Sequence, residues 1–153
     1  MRVAKKFGMK LVMAGKVDIS DKNYFASEIK PYVDDRMVEF IGEITVKEKN
    51  RLLRNAYALL APIQWREPFG LFLVEAMACG TPAVVTNMGA APELVADGST
   101  GFIVENDEDA FVAALKKIPD INRAQCRAQV EKYFTTAIMA ERYEAVYRNI
   151  LNQ

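Results

Sequence analysis

Short apolar runs alternate with longer amphipathic stretches along the whole of this 153-residue chain. The runs are Lys10–Ala14, Met37–Ile41, Ala58–Ala61, Ala83–Thr86 and Gly101–Val104, and each stops at a glycine, a proline or a polar residue. Runs this short and this apolar suit strands covered on both faces. The stretches between them carry apolar side chains at helical spacing, as Tyr24, Phe25 and Ile29 do within Asp21–Val33. Strands and helices in strict alternation bury both faces of the strands when the sheet is parallel and helices lie on each side. The expected fold is therefore α/β, a Rossmann-like parallel sheet of about six strands with helices on both faces. A helical tail follows over Arg123–Tyr133 and Thr136–Asn152.

Local signals mark several helix ends. Thr45, with Glu48 three residues on, is a capping-box pair for Lys47–Asn55. Ser20 or Asp21 is the candidate cap of Asp21–Val33, and Asn106 or Asp107 that of Asp107–Lys117. Gly70–Cys79 and the short Ala91–Ala96 complete the set. The opening is unusual: Arg2–Gly8 reads as the tail of a helix capped by Gly8. A βα unit requires a strand ahead of that helix. One domain is expected over residues 1–153, with its first strand missing.

Composition narrows the chemistry. There is no histidine, which removes the commonest general base and zinc ligand and every Ser-His-Asp scheme. Cys79 and Cys126 have no metal-ligand spacing and fit a reducing cytoplasm. The 20 basic and 20 acidic residues balance, so no nucleic-acid partner is expected. No apolar run approaches the roughly 20 residues of a membrane helix, and Met1–Lys10 lacks the apolar centre of a secretion signal.

The segment Pro62–Val104 carries the most information. A strand ends at Pro62, a loop carries Glu67, and a helix opening near Gly70 carries Glu75. Ligands of open α/β sheets bind beyond the carboxyl ends of strands. A helix start there offers the free amides of Phe69, Gly70 and Leu71. Carboxylates accept hydrogen bonds from hydroxyls and amides donate to them, so the set suits a polyol. A second strand–turn–helix, Val84–Glu93, has Gly89 and two alanines in its turn and would form another edge of the same cleft.

These residues carry a resemblance. Glu67-Pro-Phe-Gly-Leu-Phe-Leu-Val-Glu75 is a Glu-x7-Glu pattern, followed by Ala76-Met77-Ala78-Cys79-Gly80-Thr81-Pro82 and later by Gly89-x-x-Pro92-Glu93. Together they resemble the retaining glycosyltransferases of GT-B fold, the group 1 family of sucrose-synthase-, mannosyltransferase- and glycogen-synthase-like enzymes. The match runs from Leu11 to about Leu151 and corresponds to the C-terminal, donor-binding half of such an enzyme. The resemblance implies transfer of a hexose from a nucleotide-diphospho-sugar, with retention and without metal or cofactor. It implies that Glu67 acts on the donor sugar near the reacting carbon and that the amides of Phe69, Gly70 and Leu71 hold the same sugar. Glu75 would hold the ribose hydroxyls, and Glu43 and Ile44 would lie beside the base.

The departures are equally definite. Family members have a first strand ending in Gly-Arg and a lysine on the next helix, and both cations grip the diphosphate. Nothing in this sequence matches them. The N-terminal acceptor domain is also absent, so the chain alone is expected to be inactive. The alternative is a stand-alone nucleotide-sugar-binding module, or a subunit completed by a separate N-terminal chain. Self-association is expected through the apolar stripe Ala137, Met139, Tyr143, Val146, Tyr147 and Ile150.

Other residues have plainer expectations. Trp65 is read as packing on its own loop rather than stacking on a sugar, and Arg66 as a surface charge. Lys47-Glu48-Lys49 is read as a solvated face, Cys79 as buried packing and Cys126 as half-buried. Asn87 and Gly89 are placed at the cleft edge, although backbone geometry alone would account for Gly89.

Overall fold

Helix α1, Arg2–Phe7, ends on Gly8, whose φ of 79° turns its N–H back to the carbonyls of Ala4 and Lys5. The chain then enters β1, Leu11–Met13, which pairs in parallel with β2, Val38–Phe40. Strands β3, Leu59–Ala61, β4, Ala83–Thr86, and β5, Gly101–Val104, form a second parallel sheet in the order β3-β4-β5. The structure is a computed structural model and describes Met1–Asn152.

The expected alternation is present, but five strands in two sheets replace the single sheet of six among the described residues. The break falls between β1 and β3. Neither has a second neighbour, and a cleft of about 1500 Å³ lined by both lies there.

The segment expected to be one helix over Asp21–Val33 is helical from Ile19 to Tyr32, but not regularly α. It runs as a 3-10 turn at Ile19–Asp21, a helical turn α2 at Lys22–Tyr24, a π-turn at Phe25–Ile29 and a 3-10 turn at Lys30–Tyr32. Two causes act together. Pro31 lacks an N–H and can donate no helical bond, although Lys30 before it keeps helical dihedrals. None of these turns fully buries a residue, and apart from Phe25 against Phe40, 4.8 Å between ring centroids, little packing enforces a regular helix. Neither expected cap operates, since the segment begins after Asp18 without a side-chain cap bond.

The other helices follow the local signals closely. Helix α3, Val46–Asn55, has the full capping box of Thr45 and Glu48. Helix α4 spans Leu71–Ala78 and α5 Ala91–Leu94, shorter than expected because Val95 turns extended. Asp107 caps α6, Glu108–Lys117, by accepting from the Ala110 N–H. Helices α7, Arg123–Tyr133, and α8, Thr136–Leu151, close the chain.

Strand β4 organises the core. Ala83 and Val85 face a cluster with Leu73 and Met77 of α4 and Cys126 and Val130 of α7. Val84 faces Phe111, Leu115 and Ile118, with Val3 and Phe7 of α1 packed alongside. Alternate residues of one strand thus serve two layers. Each fully buried Leu or Phe contributes about 1.5–3 kcal/mol. Cys126 lies wholly inside rather than half-buried, because α7 turns it onto the Thr100 carbonyl, and burial pushes its thiol pKa up. Cys79 is half-buried rather than buried, since it ends α4 at the surface.

Helix α8 buries no residue and exposes Met139, Tyr143, Val146, Tyr147 and Ile150. No helix among the described residues is long and apolar enough to cross a membrane.

The approach to β2 is set by Asp34. Its Oδ1 accepts from the N–H groups of Arg36, Met37 and Val38 at 3.1, 2.7 and 2.9 Å. Those bonds hold the carboxyl far below its ordinary value, the Val38 bond most strongly. A depressed carboxylate stabilises the fold above its ordinary pKa and loses that contribution as pH falls through and below it. Thermal melts from pH 7 to pH 2 check this. Asp34→Asn keeps an acceptor without a titration, so its melting temperature is expected to fall less steeply below about pH 4. Parallel curves for the two chains would contradict the assignment.

Candidate functional site

The site begins where β3 runs out. Thr86 Oγ1, at the end of β4, donates to the Ile63 carbonyl at 2.6 Å, within the core. This bond ties two adjacent strand ends together. The loop that follows is folded on itself: the Glu67 N–H donates to the Trp65 carbonyl at 2.9 Å. The Trp65 indole N–H donates to Glu67 Oε2 at 3.1 Å. Trp65 is therefore exposed and aims the carboxylate, rather than packing on the loop as expected.

The turn after β4 closes on the same loop. The Ala90 N–H donates to the Glu67 carbonyl at 2.9 Å. Gly89, at φ 57°, lies so close that a Cβ would stand 2.4 Å from the Glu67 carbonyl oxygen and 2.5 Å from its nitrogen. Gly89 is thus required by a backbone-to-backbone approach as well as by its own φ. The Gly-Ala-Ala sequence marked a small-residue turn. It did not show what the turn packs against.

Gly70, at φ 87°, is the N-cap of α4, and its carbonyl accepts from the Leu73 N–H at 2.9 Å. Among the described residues, no backbone carbonyl accepts from the N–H groups of Phe69, Gly70 or Leu71. These donors are left without a main-chain partner at the helix start, where the dipole favours oxygen ligands. The Phe69 ring turns elsewhere, edge-on to Phe134 at 6.3 Å between centroids. It lines a separate hollow of about 400 Å³ with Glu93, Tyr133 and Arg142. Only the Phe69 main-chain amide adjoins the start of α4.

Glu75 is one turn further along α4. Its Oε1 accepts from Lys49 Nζ at 2.5 Å, with the two side chains 38% and 34% exposed. Lys49 is consequently not part of a solvated face: the packing of α3 on α4 brings it to Glu75. Lys47 remains solvated, and Glu48 is taken up by the cap. A pair at this exposure contributes about 1 kcal/mol at most. Its main effect is to hold the carboxylate toward the cleft. Glu43, Ile44, Lys49 and Glu75 all line the large cleft at the carboxyl end of β1. Glu67 lies outside that lining, on the β3–α4 loop, its Cγ 3.5 Å from where a Cβ on Gly70 would stand. Helical spacing could have shown that Lys49 and Leu53 share a face, but not that this face meets α4.

Residues 3–133 match the family described as glycosyl transferases group 1. The chain belongs to this family.

The N-acetyl-alpha-D-glucosaminyl L-malate synthase of Bacillus anthracis is 30% identical over 127 residues, which covers 78% of this chain and 32% of that enzyme. The group 1 chain thus spans about a third of the length of such relatives. AviGT4, a glycosyltransferase involved in avilamycin A biosynthesis, superimposes with a TM-score of 0.78 at 29% identity, over 98% of this chain and 46% of its own. HepE of Anabaena, in complex with UDP and glucose, superimposes with a TM-score of 0.77 at 19% identity, over 95% of this chain and 43% of its own. The likeness to HepE shows the shared GT-B fold. The expected resemblance and fold class therefore hold.

Proposed function

We propose that this group 1 chain is the donor-binding part of a retaining hexosyltransferase that uses a nucleotide-diphospho-sugar. The observation that carries the reading is a carboxylate beside the start of α4, Glu67, and a second one turn into that helix, Glu75, which lines the cleft, with main-chain amides between them that donate to no helical partner among the described residues. Glu67 would accept from donor-sugar hydroxyls near the reacting carbon, and the amides of Phe69, Gly70 and Leu71 would donate to the same sugar. Glu75 would accept from the two ribose hydroxyls, steadied by Lys49. Glu43 and Ile44 would border the base. The UDP and glucose bound by HepE, a neighbour in fold, support a ligand of this class.

The acceptor and the second cleft wall would come from a further domain, so the chain alone binds donor without transferring it. Free Cys79 and Cys126 fit a cytoplasmic setting. Ligand-observed NMR with UDP-, GDP- and ADP-hexoses tests the reading. One donor is expected to bind, and Glu75→Ala to weaken it about tenfold or more, as the loss of charge-assisted hydrogen bonds requires. No binding of any donor at millimolar concentration, or equal binding by the variant, would refute the assignment of Glu75.

The exposed stripe on α8 supports the proposal of self-association through this helix. Sedimentation is expected to show a concentration-dependent dimer that Tyr143→Glu with Tyr147→Glu abolishes. A monomer at all concentrations would end that proposal.

A further inference from the structure

Helix α3 brings Lys49 to Glu75, yet it buries none of its residues fully. Its apolar side chains Leu52 and Leu53 are only half-buried. Polar bonds at its C-terminal end supply the missing hold. The last carbonyls of a helix lack a full set of partners within it. At the end of α3, three of them accept from outside. Thr81 Oγ1 donates to the Leu53 carbonyl at 2.5 Å. The Arg123 guanidinium donates to the carbonyls of Arg54 and Ala56 at 3.1 and 3.0 Å. Its Nη2 also donates to Thr81 Oγ1 at 2.8 Å. The fully buried Thr81 hydroxyl is thus used once as donor and once as acceptor. A planar cation over helix-end carbonyls also suits the negative end of the dipole.

Thr81 and Arg123 belong to two other elements. Thr81 follows α4, and its N–H donates to the Ala76 carbonyl at 2.9 Å. Arg123 opens α7, whose start is fixed by the Asn122 side chain accepting from the Ala124 N–H. Gly80, at φ 75°, lets the two segments meet, since a Cβ there would stand 3.3 Å from the Arg123 carbonyl oxygen. The contacts of α3 with α4 keep one order along both chains. Lys49 meets Glu75, Asn50 offers its carbonyl 3.9 Å from Cys79 Sγ, and Leu53 meets Thr81. The two helices therefore run side by side in the same direction, with the clamp at their ends. Lys49 stands one turn before Leu53 on the same face. An ion pair at the exposure of Lys49 and Glu75 is too weak to hold a helix in place. The clamp, not the pair, fixes where Lys49 stands.

We propose that Arg123 is a positioning residue of the donor site: with Thr81 it clamps the end of α3 onto the end of α4 and the start of α7, and through α3 it keeps Lys49 on Glu75. Arg123 itself lies outside the cleft lining, so it acts through the helix and not by contact with a ligand. Its part in donor binding rests on the reading of Glu75 as the acceptor for the ribose hydroxyls. The clamp and its hold on the ion pair do not. A lysine at this position would keep the charge but lose the planar fork that serves three acceptors at once.

The NMR signal of the Glu75 carboxyl carbon, read on the full chain without donor, tests the clamp. Lys49→Met is expected to move it, and Arg123→Met to move it the same way by about half as much or more. In the Lys49→Met chain, Arg123→Met is expected to add nothing, because both act through one contact. Arg127→Met, which breaks an exposed pair with Glu131 on α7, is expected to leave the signal in place. A lower melting temperature with an unmoved Glu75 signal would make Arg123 a stability residue only and overturn the proposal. If Arg123→Met does not fold, Arg123→Lys and Thr81→Val carry the same expectation, and Thr81→Ser is expected to keep the signal. Donor binding is then read with UDP-glucose, GDP-mannose and ADP-glucose. Arg123→Met is expected to weaken the one that binds about threefold to fivefold, as loss of a half-exposed ion pair would, and less than about twofold in the Lys49→Met chain. If Glu75→Ala weakens binding and Arg123→Met does not, the proposal fails and the donor reading stands. No binding by any of the three ends the donor reading and the part of Arg123 in it, and the Glu75 signal then decides the clamp alone.

Discussion

Gly101→Ala is expected to lower stability by about 3 kcal/mol, the upper part of the range for overpacked cores. At roughly 2–4 °C per kcal/mol for a domain of this size, the melting temperature falls by about 6–12 °C. A Cβ on Gly101 would stand 2.0 Å from the Ala83 carbonyl oxygen and 3.0 Å from the Ala83 carbonyl carbon and nitrogen. Ala83 is the register partner of Gly101 and begins β4, a strand buried along its whole length. The offending atoms are main chain in the middle of a three-stranded sheet, so no side-chain rotation relieves the contact. Relief requires β5 to separate from β4, which breaks the ladder and uncovers the core on both faces. Gly15→Ala is the control. It also lies beside a strand, but a Cβ there meets nothing within 4 Å. Its melting temperature should move by less than about 2 °C, as for a substitution within about 0.5 kcal/mol. Equal melting of the two variants would show that close approach to Ala83 is not what requires glycine.

Gly89→Ala is expected to act on the site more than on the fold. The left-handed backbone alone costs an alanine about 1–2 kcal/mol. The Cβ would also run into Glu67 N and carbonyl O. Here the neighbour is a loop, and it can give way. The displacement would break the Ala90-to-Glu67 bond and carry off the carboxylate that Trp65 aims. Trp65 is the single tryptophan of the chain, so its fluorescence reports this loop alone. Its emission is expected to shift in Gly89→Ala while the far-ultraviolet circular dichroism stays the same. In an enzyme completed by its acceptor side, transfer should fall about 100-fold, as for a catalytic group displaced by about 1 Å. Unchanged emission and unchanged transfer would mean that the Glu67 loop does not depend on Gly89.

The two glycines show where sequence reading reaches and where it stops. Gly89 was legible as part of a small-residue turn beside the motif, because Gly-Ala-Ala after an apolar run is local information. Its contact with Glu67, more than twenty positions earlier, was not. Gly101 read simply as the first residue of a strand. Lys49 read as solvated because its neighbours Lys47 and Glu48 are charged, yet α3 packs that one lysine onto Glu75. Cys126 gave no sign of being wholly buried, since the moderately polar α7 around it suits a half-exposed helix. The segment Asp21–Val33 was legible as helical, but not its change from α to π to 3-10 bonding toward Pro31, where little is buried.

What the sequence determined by itself is what short-range chemistry controls. It set the alternation of strand and helix, the capping box at Thr45, a cap at Asn106 or Asp107, and the left-handed end at Gly8. These depend on residues within a few positions of one another, where spacing along the chain is spacing in space. Tertiary structure alone decided that Lys49 holds Glu75 and that Gly89 and Gly101 carry backbone from a distant segment against them. Those outcomes depend on which helix faces and strand edges meet, and that choice is made by the packing of the whole core rather than by any local run of residues.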